Sequence, residues 1–317
     1  MRTLFVKLFK NSRVLLKAYN LYFKLINSNK FWQEINKRKK MNLFDYENLA
    51  KPIPFCPIEE IKDSNYYGHI HALKEYSGLS EIAWSIEHGL YYGNYIPLAS
   101  KCKTIKKILT FSDNRANVLS SLKKPITIIG PYVHYATPLL DESEIALLKT
   151  QLGKTLLFFP LHSTFEDENV YKYEVNKTVR ELLKIKQDNH IDTVIVNMYY
   201  YDLLNSDIAR LYEEVGFKIS CAGHLFDLNF INRLKTLILI SDVTYSNSVG
   251  THVGYCVYLG KPHTIICSDR CNSGLSDWDE INNTFITDNE KLKYEIASKY
   301  WGFDNIKTKS ELFKLLK

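Results

Sequence analysis

The sequence lacks several features that would each assign it to a broad class. None of its six cysteines forms a C-x-x-C pair, so neither a disulfide-rich scaffold nor a common zinc motif is indicated, and a reducing cytoplasm is the simpler expectation. No apolar run approaches the ~20 residues that span a bilayer. The G-x-x-x-x-G-K-[ST] phosphate loop and the G-x-G-x-x-G dinucleotide motif are both missing, and there are no internal repeats.

The chain has the composition of an ordinary globular protein, with an uneven distribution of charge. Its 317 residues, 45% of them hydrophobic and 24% charged, are enough for two domains of common size. Residues 1–40 contain eleven Lys and Arg and one acidic residue, a balance of +10, whereas the whole chain carries +6 and residues 41–317 therefore carry −4. Because the excess of basic over acidic residues is confined to residues 1–40, nucleic acid is not an expected partner.

Residues 1–28 have the pattern of a basic amphipathic helix. The apolar face contains Phe5, Leu8, Leu15, Tyr19, Tyr22 and Ile26, and the polar face contains Lys10, Arg13, Lys17, Asn20 and Lys24. An anionic membrane surface attracts such a helix, at about 1 kcal/mol per Lys or Arg. A helix packed on its own domain with solvated lysines explains the pattern equally well. No signal peptide is predicted, because no small-residue cleavage site follows an apolar core.

From residue 153 onward, strand-like and helix-like segments alternate regularly. The predicted strands are 155–160, 193–199, 217–223, 236–241 and 263–267, and the predicted helices are 169–187, 205–216, 226–235 and the segment after 250. Such alternation indicates a parallel sheet covered by helices. Residues 41–150 are a smaller unit of the same kind, with predicted strands in 81–89, 108–111 and 125–130.

The predicted class is therefore α/β, with two Rossmann-like domains that follow the basic segment 1–40. Their predicted bounds are 41–150 and 151–287, joined through a polar link at 141–153, and the chain ends in helices at 288–317. In such sheets, ligands bind outside the carboxyl ends of the strands, so the residues directly after each strand are the candidate site.

A run of small and hydroxyl-bearing residues follows one predicted strand and precedes a helix: Ser246, Ser248, Gly250, Thr251 and His252. A helix N-terminus carries unpaired N–H groups and a partial positive charge, so small residues there let a phosphate approach. An ordinary N-cap needs only one such residue. The excess of them favours a phosphate-binding turn.

Histidines and glycines follow other predicted strands. Glu87 and His88 end the segment IAWSIEH, and an imidazole with an ordinary pKa of about 6.5 suits a general base; Glu87 could take that role or orient the ring. His162 could donate to a phosphate or a leaving group. Gly223 and His224 stand at the end of the predicted strand 217–223 and would lie on the base side if the bound phosphate belongs to a nucleotide. Each histidine could instead be a structural loop residue.

No metal site is predicted. His263, Cys267 and Cys271 are spaced four apart, but the first two fall in a predicted strand, where they cannot share a helix face. The D-x-D at 277–279 falls in a predicted polar loop after the last strands, and the acidic run 166–168 is typical of a first helical turn.

Three stretches resemble GT-B type glycosyltransferases of bacterial surface-polysaccharide synthesis. The segment 223–266 is similar to the donor-binding half of transferases that build capsule or lipopolysaccharide. WSIEHGLYYGNYIP (84–97) resembles the His-Gly loop of CDP-glycerol glycerophosphotransferases. FFPLHS (158–163) and SNS (246–248) resemble phosphate-binding loops of bacterial sialyltransferases.

The resemblance implies two Rossmann-like domains facing across a cleft, with a nucleotide-sugar donor in the C-terminal one. His88, with Glu87, would deprotonate a glycan or lipid-linked acceptor, and His162 and His252 would stabilise the leaving nucleotide. It implies inversion without a metal or other cofactor, at the inner face of the cell membrane. A UDP-sugar 2-epimerase of the same fold and a non-catalytic polysaccharide-assembly protein are the alternatives.

Overall fold

The computed structural model describes residues 12–162, 174–266 and 274–317, and it contains two parallel β-sheets. The first sheet has the order β1-β2-β3, formed by Ser85–Ile86, Ile108–Thr110 and Ile126–Ile128. Each strand pairs with its neighbour in parallel, for example Ile108 with Ile126. The strand expected in 81–89 is therefore only two residues long.

The second sheet has the order β6-β5-β4-β7-β8. Its strands are β4 Thr155–Phe159, β5 Thr193–Asn197, β6 Lys218–Ser220, β7 Val243–Ser246 and β8 His263–Ile265. All four pairings are parallel. The two parallel sheets with helices between their strands confirm the α/β prediction of two Rossmann-like units. The domain bounds at residues 40, 150 and 287 stay predictions.

Thirteen α-helices connect and cover the sheets in the described residues. They are α1 Arg13–Lys39, α2 Tyr46–Ala50, α3 His69–Ser77, α4 Asp113–Leu119, α5 Glu142–Leu152, α6 Val175–Asp188, α7 Tyr200–Asn205, α8 Ile208–Glu213, α9 Phe230–Ile240, α10 Thr251–Tyr258, α11 Ser276–Phe285, α12 Glu290–Trp301 and α13 Lys309–Leu316. None of them is long and apolar enough to cross a membrane.

One continuous apolar core joins the two sheets. It includes Leu109 of the first sheet and Leu157 and Ile195 of the second, each fully buried. A second cluster covers the other face of the second sheet around Leu156 and Val196. The strands β4 and β5 are thus buried on both faces, which explains why they read as unbroken apolar runs in the sequence.

The strand expected at 236–241 is wrong, because this segment is the second half of helix α9. Nearly all of α9 is buried, including Leu237, Ile238 and Ile240. A helix that is apolar on all sides cannot be distinguished from a buried strand by periodicity. The strand β7 begins later, at Val243, so Ser246 is its last residue rather than part of the loop.

Two segments that the sequence indicated as polar connections are helices. The link at 141–153 forms α5, whose first turn is closed by a capping box in which Asp141 and Glu144 each accept a bond from the other's backbone. The D-x-D begins α11, and the Asp277 carboxylate accepts a hydrogen bond from the backbone of Gly93 (2.7 Å). Acidic side chains are stabilised in a first helical turn.

Helix α1 has apolar side chains on two faces, which the sequence interpretation did not separate. The inner face packs on the protein: the Tyr19 and Phe23 rings contact Phe55, and Asn20 donates to the carbonyl of Glu60 (2.7 Å). The outer face is exposed and also apolar. It contains Val14, Leu15, Leu21, Tyr22, Leu25, Ile26 and Trp32. Residues 1–11, with Phe5, Leu8 and Lys10, lie outside the described residues.

The C-terminal helices return to the first unit. Helix α12 packs on both α10 and α4, and α13 packs on α3. The approach is close, because a Cβ on Gly254 of α10 would lie 2.1 Å from the Trp301 ring. The Trp301 indole donates to the carbonyl of Thr251 (3.0 Å). This packing fixes the start of α10 relative to the first sheet.

Candidate functional site

The loop after β1 begins with a buried ion pair. Glu87 is 3% exposed, and its carboxylate accepts two hydrogen bonds from the Arg115 guanidinium (2.7 and 2.9 Å) and one from the Thr110 hydroxyl (2.8 Å). The three hydrogen bonds engage both oxygens of the Glu87 carboxylate. In this arrangement Glu87 fixes the start of the loop that carries His88.

His88 lies beside this ion pair and faces a group of tyrosines. Its Nε2 atom is 3.0 Å from the Tyr91 hydroxyl, and the Tyr91 ring in turn lies 5.2 Å from the Arg115 guanidinium. The rings of Tyr66 and Tyr67 have centroids 5.3 and 5.9 Å from the imidazole. The ring of His88 is therefore held in one place by its surroundings.

A chain of rings connects His88 with His162, which come from different sheets. The Tyr67 hydroxyl is 3.1 Å from the Tyr199 hydroxyl, and the Tyr199 ring lies 4.6 Å from the exposed imidazole of His162. His69 contacts Tyr67 on the other side (5.9 Å). We call Tyr67, His69, His88, His162 and Tyr199 the tyrosine–histidine cluster. It forms where the carboxyl ends of β1, β4 and β5 meet.

The backbone at Tyr67 is constrained to hold this position. Tyr67 and Gly68 both have positive φ angles (57° and 68°), which is uncommon for a residue with a side chain. The Tyr67 N–H donates to the carbonyl of Leu225 (2.7 Å). A Cβ on Gly68 would lie 2.2 Å from the carbonyl oxygen of Leu228, so only glycine permits this contact between the two units.

His69 is buried at 4% exposure, and its Nδ1 atom has no hydrogen-bond partner among the described residues. Burial, and then the nearby His88, lowers the pKa of His69 to about 3. The ring is therefore neutral at physiological pH. A neutral, buried imidazole next to the candidate base supplies shape and a polar atom but no charge.

The N-terminus of helix α10 is open at its backbone. The N-cap residue Gly250 is extended, and no side chain of residues 12–162, 174–266 or 274–317 caps the helix. The Thr251 hydroxyl instead accepts a hydrogen bond from the N–H of Leu90 (2.9 Å), two residues after His88. A Cβ on Gly89 would lie 3.3 Å from the same hydroxyl. The predicted phosphate-binding turn and the His88 loop are thus in direct contact.

The three residues Ser246, Asn247 and Ser248 have different surroundings. Ser246 is fully buried, and its hydroxyl donates to the carbonyl of Ser248 (2.8 Å) and contacts His263 (3.1 Å). The Asn247 side chain accepts a hydrogen bond from the N–H of Leu161 (2.5 Å), which ties the loop of His162 to the turn. Ser248 is half-buried, so it is the serine of the pair that a ligand can reach.

His252 folds back over the start of its own helix. Its ring stacks on Phe159 (4.5 Å) and lies 2.7 Å from where a Cβ on Gly250 would be. Burial, and then His162, lowers the pKa of His252 to about 3. Its Nε2 atom is buried and has no hydrogen-bond partner in the part of the chain that the structure describes. A neutral imidazole can donate a hydrogen bond to a phosphate, but it brings no positive charge.

Gly223 and His224 follow β6, at the far side of the second sheet from the turn. A Cβ on Gly223, whose φ is 118°, would lie 2.7 Å from the Asp227 carboxylate. This carboxylate forms a fully buried ion pair with Arg233. His224 packs on Tyr200, and burial lowers its pKa to about 4. Both residues lie against the core as well as at the sheet edge.

The sequence interpretation missed four residues of this site. Tyr67 and His69 belong to the segment YYGH, in which a glycine directly before a helix was the available signal. Tyr199 follows β5, at the sheet edge where the sequence interpretation expected ligands to bind, but it was assigned no role. Arg115 lies 28 residues from Glu87 in the chain, and no local pattern connects the two. The tyrosines of the site were thus assigned no role from the sequence.

The described residues contain no group of three or more His, Cys, Asp or Glu side chains that could hold a metal ion. Cys267, Cys271 and the acidic run 166–168 lie outside the described residues, as does Ser163, which ends the FFPLHS stretch.

No protein-family model and no curated protein sequence matches this chain. Several solved structures resemble it. The wall teichoic acid polymerase TagF has a TM-score of 0.42 and 12% identity over 67% of this chain and 58% of its own. The UDP co-structure of S. aureus MnaA has a TM-score of 0.38 and 13% identity over 68% of this chain and 60% of its own.

A UDP-GlcNAc 2-epimerase from Neisseria meningitidis, bound to UDP-GlcNAc, has a TM-score of 0.37 and 13% identity. It is matched over 67% of this chain and 60% of its own. The chain thus spans about three fifths of the length of the structures it resembles, and the likeness is one of fold.

Proposed function

We propose that this protein is a nucleotide-sugar-dependent glycosyltransferase. The observation that supports the proposal is the contact between two candidate elements from different sheets. The Thr251 hydroxyl, at the open N-terminus of α10, binds the loop of His88. A phosphate at this helix end would therefore lie next to an imidazole, which is the arrangement that group transfer from a nucleotide donor to a hydroxyl needs.

In this proposal the donor diphosphate binds backbone N–H groups at the start of α10. Ser248 and Thr251 donate hydrogen bonds to it, Gly250 leaves room for the His252 ring that faces it, and Ser246 supports the turn from behind. His162, which is exposed, stabilises charge on the leaving nucleotide. His252 acts there as a neutral hydrogen-bond donor. Gly223 and His224 form part of the wall on the base side.

His88 is proposed as the general base that removes the proton from the acceptor hydroxyl. Attack by that oxygen on the anomeric carbon breaks the bond to the donor phosphate, and the proton passes to the imidazole. A single displacement of this kind inverts the anomeric configuration. Glu87 supports His88 indirectly, because its ion pair with Arg115 places the Tyr91 ring.

The acceptor is proposed to be a glycan or lipid-linked intermediate of bacterial surface polysaccharide, capsule or lipopolysaccharide, reached at the inner face of the cell membrane. The exposed apolar side of α1 and its basic residues support attachment of the protein to an anionic bilayer. Attachment would raise the local concentration of a lipid-linked acceptor.

The test combines nucleotide binding with turnover. We expect one of CMP, CDP, UDP or GDP to stabilise the protein, by about 2.7 kcal/mol at a hundredfold excess over its Kd. Ser248→Ala with Thr251→Val should weaken that binding. His88→Ala should keep nucleotide binding and lose most turnover with sugar donor and acceptor. Full turnover by His88→Ala would remove this residue from the mechanism.

Products formed from the donor alone distinguish the alternatives. An epimerase would convert the nucleotide sugar without any acceptor, whereas a transferase would need one. A protein that stabilises assembly without catalysis would give no product in either experiment. An exposed turn residue, changed as His190→Ala, is the matched control for loss of an imidazole outside the site.

A further inference from the structure

A groove separate from the tyrosine–histidine cluster opens beside helix α1. It has a volume of about 340 Å³ and lies between α1, the segment 56–58 and the start of α3. Its lining combines basic and apolar side chains: Lys24, Trp32, Cys56, Pro57, Ile58, His71 and Lys74. A groove lined by both apolar side chains and ammonium groups suits a ligand that has both a hydrocarbon part and an anionic group.

The groove is continuous with the exposed apolar side of α1. Val14, Leu21 and Leu25 are 77%, 59% and 76% exposed, and Trp32 follows them in line at helical spacing. Trp32 is itself 43% exposed and forms one wall of the groove. Indole rings favour the boundary between hydrocarbon and water. We therefore expect a molecule in the groove to be continuous with whatever covers this side of the helix.

One of the cations that line the groove is unpaired among the described residues. Lys24 is exposed and has no ion pair among the residues that the structure describes. Lys74, on the opposite wall, pairs with Glu59, and His71 lies 3.4 Å from Glu75. Lys24 is thus the uncompensated cation of the groove, and an ammonium of this kind attracts a phosphate when it lies near a membrane surface.

We propose that this groove binds the phosphate headgroup of an anionic membrane lipid, with Lys24 as its main contact and Trp32 beside the glycerol and acyl region. The proposal deepens the membrane attachment put forward above and is independent of the transfer chemistry. It gives α1 two contributions to lipid binding: an apolar face that enters the bilayer boundary, and a pocket that takes one lipid phosphate.

The experiment uses the full chain and a soluble lipid, dihexanoyl phosphatidic acid, below its micelle concentration. Binding is followed by tryptophan fluorescence and by calorimetry. The other three tryptophans are buried (7%, 7% and 0% exposed for Trp84, Trp278 and Trp301), so the signal reports on Trp32, and Trp32→Phe should abolish the fluorescence change while calorimetric binding remains.

Two charge reversals on the same helix face provide the comparison. Lys24→Glu should weaken binding of the soluble lipid roughly 10-fold or more, since a charge-assisted contact is lost. Lys17→Glu makes the same change of charge two turns away, outside the groove lining, and should change that binding by less than about 2-fold. Both variants should weaken binding to phosphatidylcholine vesicles that contain phosphatidylglycerol.

Three outcomes would overturn the proposal. Failure of the soluble lipid to bind the native chain, or equal binding to both charge variants, excludes a lipid site at the groove. Binding of inorganic phosphate alone as tightly as the lipid would indicate a simple anion site. Nucleotide binding at α10 is measured separately, so failure of the groove leaves the transferase proposal to its own test.

Discussion

Lowering the pH from about 7.5 to about 5.5 should destabilise the folded chain, because four histidines are held in the neutral form. Burial lowers the pKa of His69 and His252 to about 3 and of His224 to about 4, and it lowers the pKa of His263 well below its ordinary value. The unfolded chain binds protons on these rings below pH ~6.5, whereas the folded chain does not.

The size of the effect follows from proton linkage. Each pKa unit corresponds to 1.36 kcal/mol. A histidine that titrates near pH 6.5 in the unfolded chain, but not in this range in the folded chain, lowers the stability by about 1.4 kcal/mol at about pH 5.5. Four such rings give roughly 5 kcal/mol. That is a third or more of the stability of an ordinary domain. The contribution of these four histidines to stability is complete above the pKa of about 6.5 that they have in the unfolded chain. It is lost progressively as the pH falls below that value.

Urea denaturation at constant ionic strength measures this slope. His263 lies between the Thr244 hydroxyl (2.8 Å from Nδ1) and the Ser246 hydroxyl (3.1 Å from Nε2). His263→Gln should reduce the loss between the two pH values by about 1.4 kcal/mol, whatever its effect at neutral pH. His190→Asn makes a similar change at an exposed turn and serves as control. A stability that is flat across this range would refute the reasoning.

Three further predictions concern single contacts. Glu87→Gln should cost about 3–5 kcal/mol in urea denaturation by leaving Arg115 buried without its partner; an unchanged midpoint would contradict the buried ion pair. Gly254→Ala should cost about 3 kcal/mol, because its Cβ would meet the Trp301 ring at 2.1 Å, and a stabilised variant would refute that packing. Leu25→Glu should reduce flotation with anionic vesicles at unchanged thermal stability, and equal flotation would exclude this face as the membrane contact.

Much of the second sheet could be predicted from the sequence, for a physical reason. Strands β4 and β5 are buried on both faces and appear as short apolar runs bounded by polar residues. The same reasoning failed for helix α9. Most of its residues are buried, so its apolar side chains do not show a clear helical period. As a result, the sequence interpretation placed this strand too early in the chain. It assigned Ser246 to the loop, although Ser246 is the last residue of β7.

Only the residues of the candidate site that belong to a local sequence pattern could be predicted. His88, His162 and Thr251 could be singled out because each directly follows a strand or begins a helix. The contacts that join them could not, since Leu90 and Thr251 are 161 residues apart, and the Tyr67–Tyr199 pair spans 132 residues. A hydrogen bond across such distances leaves no local pattern in one sequence.

The inner end of helix α1 has a consequence for how the protein sits on a surface. The Arg38 guanidinium donates to the carbonyls of Leu49 and Lys51 (2.6 and 2.7 Å), and its own carbonyl accepts from the buried Arg233 (2.9 Å). A helix of 27 residues is about 40 Å long, and here one end of it is built into the interior. The helix is therefore held rigidly to the rest of the protein and is not a flexible connection. Any bilayer that holds its outer end would also set the height and tilt of the strand ends above the lipid plane.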